Sequence, residues 1–194
     1  MRKKNRQQRT FRSPRRARSA RPLNRLKLRW RLADKFSWAF VAIGAAVVGA
    51  FAFTLQEVHA AKRERRELTC LALNVYYEAR GEPRAGRYAV AEVTMNRVAA
   101  PQYPDTVCEV VYQQNWDWIR KRYVAAFSWT ELSRVPEPKG REWEEAWKTA
   151  EDVYYGRHEP RLANALHYHA NYIQPRWSRE RTRVAQIGNH IFYR

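Results

Sequence analysis

Residues Leu68 to Pro83 read LTCLALNVYYEARGEP, and the organisation of the chain unfolds from this segment. Leu68, Leu71, Ala72 and Val75 recur at the 3–4-residue spacing of a helix with one apolar face, so the pattern predicts a helix over 68–80. Gly81 and Pro83 stop it. The helix ends on Tyr76-Tyr77-Glu78, with Glu82 four residues beyond Glu78. A carboxylate at a helix C-terminus faces the negative end of the macrodipole, and burial strengthens its hold on a proton. A carboxyl kept protonated near neutral pH is what glycoside cleavage requires. The competing reading is that Glu78 and Glu82 only pair with Arg80, Arg84 or Arg87 on a solvated turn.

Downstream, Gly86 to Val98 carries Val90, Ala91, Val93, Met95 and Val98, too continuous an apolar set for a surface helix, so this helix is expected to be buried. Pro101 and Pro104 make a loop, and Thr106 to Tyr112 suits a helical turn. A region dense in aromatics follows: Trp116, Trp118, Tyr123, Phe127 and Trp129. Arg141 to Tyr155 has Trp143, Ala146, Trp147, Ala150 and Tyr154 at helical spacing, and Gly156 closes it. Ala165–Ile173 and Val184–Phe192 suit short strands. The expected fold class is α+β, mostly helical with a small late β portion.

Upstream, residues 57–67 (EVHAAKRERRE) form a charged linker, and from Phe36 to Gln56 there is no charged residue. About 20 apolar residues at ~1.5 Å rise span the ~30 Å hydrocarbon layer, so 36–56 is expected to be a single transmembrane helix. Residues 1–35 hold 15 Lys and Arg against one acid, Asp34; the remainder holds 22 basic and 18 acidic residues. Most of the chain's +18 therefore belongs to the tail, which carries +14. Residues 1–35 are expected to be a disordered cytoplasmic tail, poor in large apolar groups. Such a tail can grip nucleic acid or anionic lipid, but it reads as a topology signal and no specific nucleic-acid partner is expected. The charge excess on the N-terminal side places the tail in the cytoplasm and residues 68–194 outside it, in the periplasm or on the cell-wall side of the inner membrane. A cleaved signal peptide is the rival, with Val58-His59-Ala60 as a small-x-small site. The two cysteines, Cys70 and Cys108, both follow the span, and an even pair in an oxidising compartment reads as a disulfide.

Residues 68–113, Phe127-Ser128-Trp129, His167-Tyr168-His169 with Pro175 and Trp177, and IGNHIFYR (Ile187–Arg194) resemble, in order, the spore-cortex-lytic (SleB-like) family of cell-wall hydrolases. The resemblance implies a lysozyme-like fold acting on peptidoglycan and Glu78 as the single acid/base of a lytic transglycosylase or muramidase. It would protonate the oxygen between N-acetylmuramic acid and N-acetylglucosamine, and no cofactor is implied. Many relatives place a cysteine before the Phe-Ser-Trp segment, where Ala125 and Ala126 stand here, so no second disulfide is expected.

A hydrolytic route would want a second carboxylate, for which Glu82, Glu92 and Asp105 are candidates. Trp129, Tyr168 and Trp177 are candidates to stack on sugar rings, and Ser128 is a candidate donor to the glycan. Tyr77, Glu82 and His190 complete the expected substrate-binding set. His167 and His169 alternate on a strand and, with His190, offer imidazoles for zinc. That is the basis of the alternative activity, an N-acetylmuramoyl-L-alanine amidase with a His-bound metal. Without an acid beside them or an H-E-x-x-H motif, no metal site is assigned. A non-enzymatic envelope-binding protein is the third reading.

Overall fold

The structure, a computed structural model, describes residues 23–194, with side-chain surroundings from Phe36 onward. The chain divides between Thr54 and Leu55 into two units. Helix α1 (Leu23–Ala79) is continuous through the linker 57–67 and starts inside the stretch expected as a disordered tail; the reading of residues 1–22 lies outside the described residues. The part of α1 from Phe36 contains a window long and apolar enough to cross a membrane, and none of that window is buried. Burial begins at Leu68, where the folded unit's core starts.

That unit contains α2 (Arg84–Ala99), α3 (Val107–Val111) and α4 (Gly140–Tyr154). It also has an antiparallel hairpin, β1 (Gln114–Asp117) with β2 (Arg122–Ala125), and a three-stranded sheet of β3 (His167–Ala170), β4 (Arg183–Ile187) and β5 (His190–Tyr193) in the order β3-β5-β4. The late β portion matches expectation; the β1–β2 hairpin was not foreseen.

Helix α2 is buried along most of its length because it is covered on two sides. Its Ala91 joins Leu71, Ala72 and Val75 of α1, Val107, Val110 and Val111 of α3, and Ala146 and Ala150 of α4 in the main core. Its Ala89 and Val93 join Leu162, Ala165 and Phe192 beneath the sheet. Cys70 and Cys108 are disulfide-bonded, tying α1 to α3. Thr106 starts α3 with a reciprocal cap: its hydroxyl accepts from the Glu109 N–H and donates to the Glu109 carboxylate. Gly156, at φ +66°, follows α4 in the left-handed region that closes helices.

One fully buried polar chain runs through the core. The Trp129 indole N–H donates to Asn74 Oδ1 (3.0 Å), Asn74 Nδ2 to Thr94 Oγ1 (3.0 Å), and Thr94 Oγ1 to the Val90 carbonyl (3.0 Å). Every member is partnered, so the network fixes α1, α2 and the 3₁₀ turn Ser128–Glu131 in one arrangement without leaving a buried group unpaired.

Candidate active site

Where α1 ends, its last turn meets β3, β5 and the 3₁₀ turn at Ser128. The junction leaves a cleft of about 510 Å³, lined by Tyr77, Glu78, Arg97, Ser128, Tyr168, Trp177 and His190 among others. Glu78 is half-buried, the penultimate residue of α1, and accepts a hydrogen bond from the Tyr168 hydroxyl (3.0 Å). Burial raises its pKa above the ordinary 4.5; the Tyr168 donor and the positive charge of Arg97 pull the other way without reversing it. The same burial, and the carboxyl beside it, push the Tyr168 phenol well above 10, so it stays a neutral donor. Among the described residues lining the cleft, Glu78 is the one carboxylate.

The other acids are committed elsewhere. Buried Glu92 accepts from His158 Nε2 (2.7 Å) and from the N–H groups of Arg161 (2.9 Å) and Leu162 (2.8 Å), so it clamps the loop before β3. Asp105 is exposed at the edge of a different cavity. Glu82, expected to touch substrate, is buried beneath the β4–β5 turn. Its Oε2 accepts the Asn189 N–H (2.9 Å) and its Oε1 the Asn189 side-chain amide (3.0 Å). The Pro83 stop turns the chain so that the carboxylate points under this turn, with both oxygens occupied.

The expected aromatics divide. Tyr168 and Trp177 line the cleft, and Ser128 is exposed there. Trp129 does not belong to it: only 7% exposed, with its indole N–H held by Asn74, it is a core residue on which Tyr77 stacks at 4.6 Å. Tyr77 reaches the cleft at its edge while its hydroxyl donates to the Pro136 carbonyl.

The histidines do not converge on one point. His167 and His169 share a face of β3, both against Trp177, as their alternation requires. His190 sits on the opposite face with Phe192 and the cross-strand neighbour Tyr168. His169 donates from Nδ1 to the Ala170 carbonyl (2.9 Å), which leaves Nε2 to accept from the Tyr193 hydroxyl (2.9 Å). Burial lowers His167 to about 4. Among the described residues His190 Nδ1 is buried without a hydrogen-bond partner, 3.8 Å from Glu82 Oε1, and desolvation keeps its pKa down against the pull of Glu82. Among the described residues no group of three His, Cys, Asp or Glu is disposed to hold a metal ion.

Arg97 was missed in the sequence. Its Nε donates to the Leu166 carbonyl (2.8 Å) and its guanidinium lies over the Phe127 ring (5.0 Å), which places a buried positive charge beside Glu78. The available signal was an arginine between Met95 and Val98, in the part of the helix expected to be buried.

A family model described as Cell Wall Hydrolase matches residues 81–193, beginning just after Glu78. The spore cortex-lytic enzyme of Oceanobacillus iheyensis is 33% identical over 129 residues, 66% of this chain and 41% of its own length. That of Bacillus cereus is 31% identical, over 66% of this chain and 44% of its own. The chain thus spans about two fifths of the length of these relatives. The crystal structure of the catalytic domain of the Bacillus cereus SleB protein superposes with a TM-score of 0.54 at 29% identity, covering 67% of this chain and 91% of that one. The catalytic domain of the germination-specific lytic transglycosylase SleB from Bacillus anthracis gives 0.51 at 30% identity, covering 66% and 93%. With more than half of its length matched by the family model, and with these folds as neighbours, the chain belongs to the SleB-like family of cell wall hydrolases.

Proposed function

We propose that residues 68–194 form a lysozyme-like domain that cleaves the glycan strand of peptidoglycan between N-acetylmuramic acid and N-acetylglucosamine, with Glu78 as the single acid/base. The observation that carries this is the pairing of a raised pKa with a cleft in which Glu78 has no second described carboxylate. Protonated Glu78 gives its proton to the glycosidic oxygen as the C–O bond breaks. The resulting carboxylate, stabilised by the Tyr168 hydroxyl and the nearby Arg97 charge, then takes the proton of the attacking hydroxyl. If that hydroxyl is the 6-OH of the same muramic residue, a 1,6-anhydro ring closes and one carboxylate serves both steps. Retaining and inverting hydrolysis need a partner acid ~5–9.5 Å away, and Glu82 and Glu92 have their oxygens engaged in structural bonds. The cleft therefore favours the lytic transglycosylase route. The scattered histidines speak against the metal-dependent amidase. Ser128, Tyr168, Trp177 and His190 are the substrate-contacting set in this reading, and helix 36–56 holds the domain at the outer face of the inner membrane.

The test is digestion of purified peptidoglycan by the full chain, with the products analysed by mass. Anhydromuropeptides are expected, and Glu78→Gln should lower kcat by ~10³-fold or more while the variant stays folded. Near-wild-type cleavage by that variant would remove Glu78 from the mechanism, and amide-bond products would restore the amidase.

A further inference from the structure

The β1–β2 hairpin exposes four large apolar side chains, Trp116, Trp118, Ile119 and Tyr123, and Glu78 chemistry makes no use of them. Trp118 and Ile119 at its tip are 83% and 87% exposed, and Trp116 and Tyr123 are open beside them. This tip is not a loose loop. Asp117 Oδ1 accepts the N–H groups of Ile119 (2.8 Å) and Arg120 (2.9 Å), and Lys121 takes the positive φ (+50°) that completes the turn. The hairpin base is fixed as well: the Ala125 N–H donates to Glu131 Oε1 (2.7 Å) and the Ala126 N–H to the Gln113 carbonyl (2.8 Å). The turn that exposes these rings is thus held by hydrogen bonds from backbone N–H groups at its tip and its base.

Register shows where the rings point. Trp116 pairs with Tyr123 across the ladder and Gln114 with Ala125. Alternation then puts Trp116, Tyr123 and Ala125 on one face, and Trp118 follows in the turn. Trp116 packs edge-on against both Trp118 (6.1 Å) and Tyr123 (5.2 Å), so the rings form one patch. Ala125 is itself a lining residue of the Glu78 cleft. The aromatic face therefore continues the cleft wall outward. Its indole N–H groups and the Tyr123 hydroxyl make no hydrogen bond among the described residues, which leaves donors next to flat apolar surfaces. Three consecutive cations follow at the tip: Arg120 lies 3.6 Å from Asp117 and Arg122 3.6 Å from Glu131, both pairs open to solvent, and Lys121 has no acidic partner among the described residues. Ring faces that stack on pyranose C–H faces, hydroxyl-seeking donors and a cationic rim match a polysaccharide bearing carboxylate-rich peptides.

We infer that the β1–β2 hairpin is a second saccharide-binding site, in which Trp116, Trp118 and Tyr123 carry the glycan strand beyond the cleft and Arg120 and Lys121 hold the stem-peptide carboxylates. It rests on the reading of the cleft as a peptidoglycan site. A bilayer would also accept exposed tryptophans and cations, but continuity with the cleft wall favours the glycan.

The experiment uses the full chain carrying Glu78→Gln, so that sacculi are bound and not consumed. Cosedimentation with insoluble peptidoglycan is compared for this parent, for Trp118→Ala/Tyr123→Ala and for Arg120→Ala/Lys121→Ala. The aromatic pair should weaken binding at least ~5-fold, as a buried interface anchor does. The cationic pair should make binding less salt-sensitive than the parent's. Both variants should melt within ~2 °C of the parent, because the replaced groups are exposed. Parent-like binding by the aromatic pair, or a parent that fails to bind sacculi, overturns the inference. So does quenching of Trp118 fluorescence by brominated lipid in reconstituted vesicles, read against Trp118→Phe, since it seats the tip in a bilayer. Lysis of sacculi by the chain with Glu78 intact is measured in parallel and judges the cleft separately: lysis with unaltered binding sinks the hairpin alone, and hairpin-dependent binding without lysis sinks the acid/base assignment alone.

Discussion

At the scale of single residues, the chemistry and the stability of Glu78 oppose each other. Its folded pKa is raised by burial above the ordinary 4.5. Between the unfolded and folded values the native state holds more protons, so stability falls as pH rises through that window, and the penalty is fully present above the folded pKa. Glu78→Gln cannot ionise. It should therefore melt higher than the parent at pH 7–8 and alike near pH 4; equal melting temperatures across that range would mean that Glu78 is solvated in the folded protein. Tyr168 gives a second handle. Its hydroxyl is the side-chain donor to the Glu78 carboxylate, and hydrogen bonds to charged groups contribute ~1.5–3 kcal/mol. Tyr168→Phe should lower kcat roughly 10- to 100-fold. Because the lost donor favoured the ionised form, Glu78 should titrate higher, and the alkaline limb of the pH–rate profile should move to higher pH. A limb that stays in place would assign it to another group.

At the scale of elements, the turn between β4 and β5 is shaped by one buried side chain. Gly188 has φ +58°, and a Cβ there would lie 1.9 Å from Glu82 Oε2. Gly86, in the first turn of α2, approaches the same side chain, with an ideal Cβ 2.9 Å from that of Glu82. The Glu82 of G-E-P and the later G-N-H are thus halves of one structure: Gly86 and Gly188 make room for a carboxylate that accepts twice from Asn189. Gly188→Ala adds a left-handed alanine, ~1–2 kcal/mol, to a clash that must displace Glu82. A loss of at least ~2 kcal/mol and a Tm drop of roughly 6 °C or more are expected by calorimetry. Gly81→Ala, with no atom within 4 Å of its ideal Cβ, should shift Tm by less than roughly 3 °C; equal effects at the two positions would refute this account. The same pair of motifs shows what the sequence could convey. Spacing located the last turns of α1, together with α2, α4 and the late β portion, and the carboxyl at the end of α1 was legible as a candidate acid/base. Spacing could not tell that Glu82 turns under the β4–β5 turn and Trp129 into the core, since both choices depend on long-range partners, Asn189 and Asn74. The β1–β2 hairpin escaped notice because its apolar residues face solvent, so the alternation that marks a half-buried strand was absent.

At the scale of the whole molecule, charge and hydropathy are segregated along the chain. Fifteen of the basic residues precede Phe36, and the next charged residue after Lys35 is Glu57. The apolar window between them lies in a helix and is not covered by the protein. Exposing Phe36, Trp38, Phe40, Ile43, Phe51 and Phe53 to water would be unfavourable by ~25 cal/mol per Å² of apolar surface, whereas a bilayer takes them at no such cost. Each Lys or Arg of residues 1–35 near the inner leaflet adds attraction to anionic lipid, of order 1 kcal/mol, and resists transfer across the membrane. The combination argues for an uncleaved anchor with the cytoplasmic end first. In that case the full chain should stay with membranes through high-salt and alkaline washes, and a tag at residue 1 should be protected in intact spheroplasts while the Glu78 domain is open to added protease. Salt extraction would reduce the attachment to charge alone, digestion of the tag with protection of the domain would invert the topology, and a soluble form beginning near His59–Ala61 would convert the helix into a cleaved export signal. Only retention with an external domain puts Glu78 where peptidoglycan is.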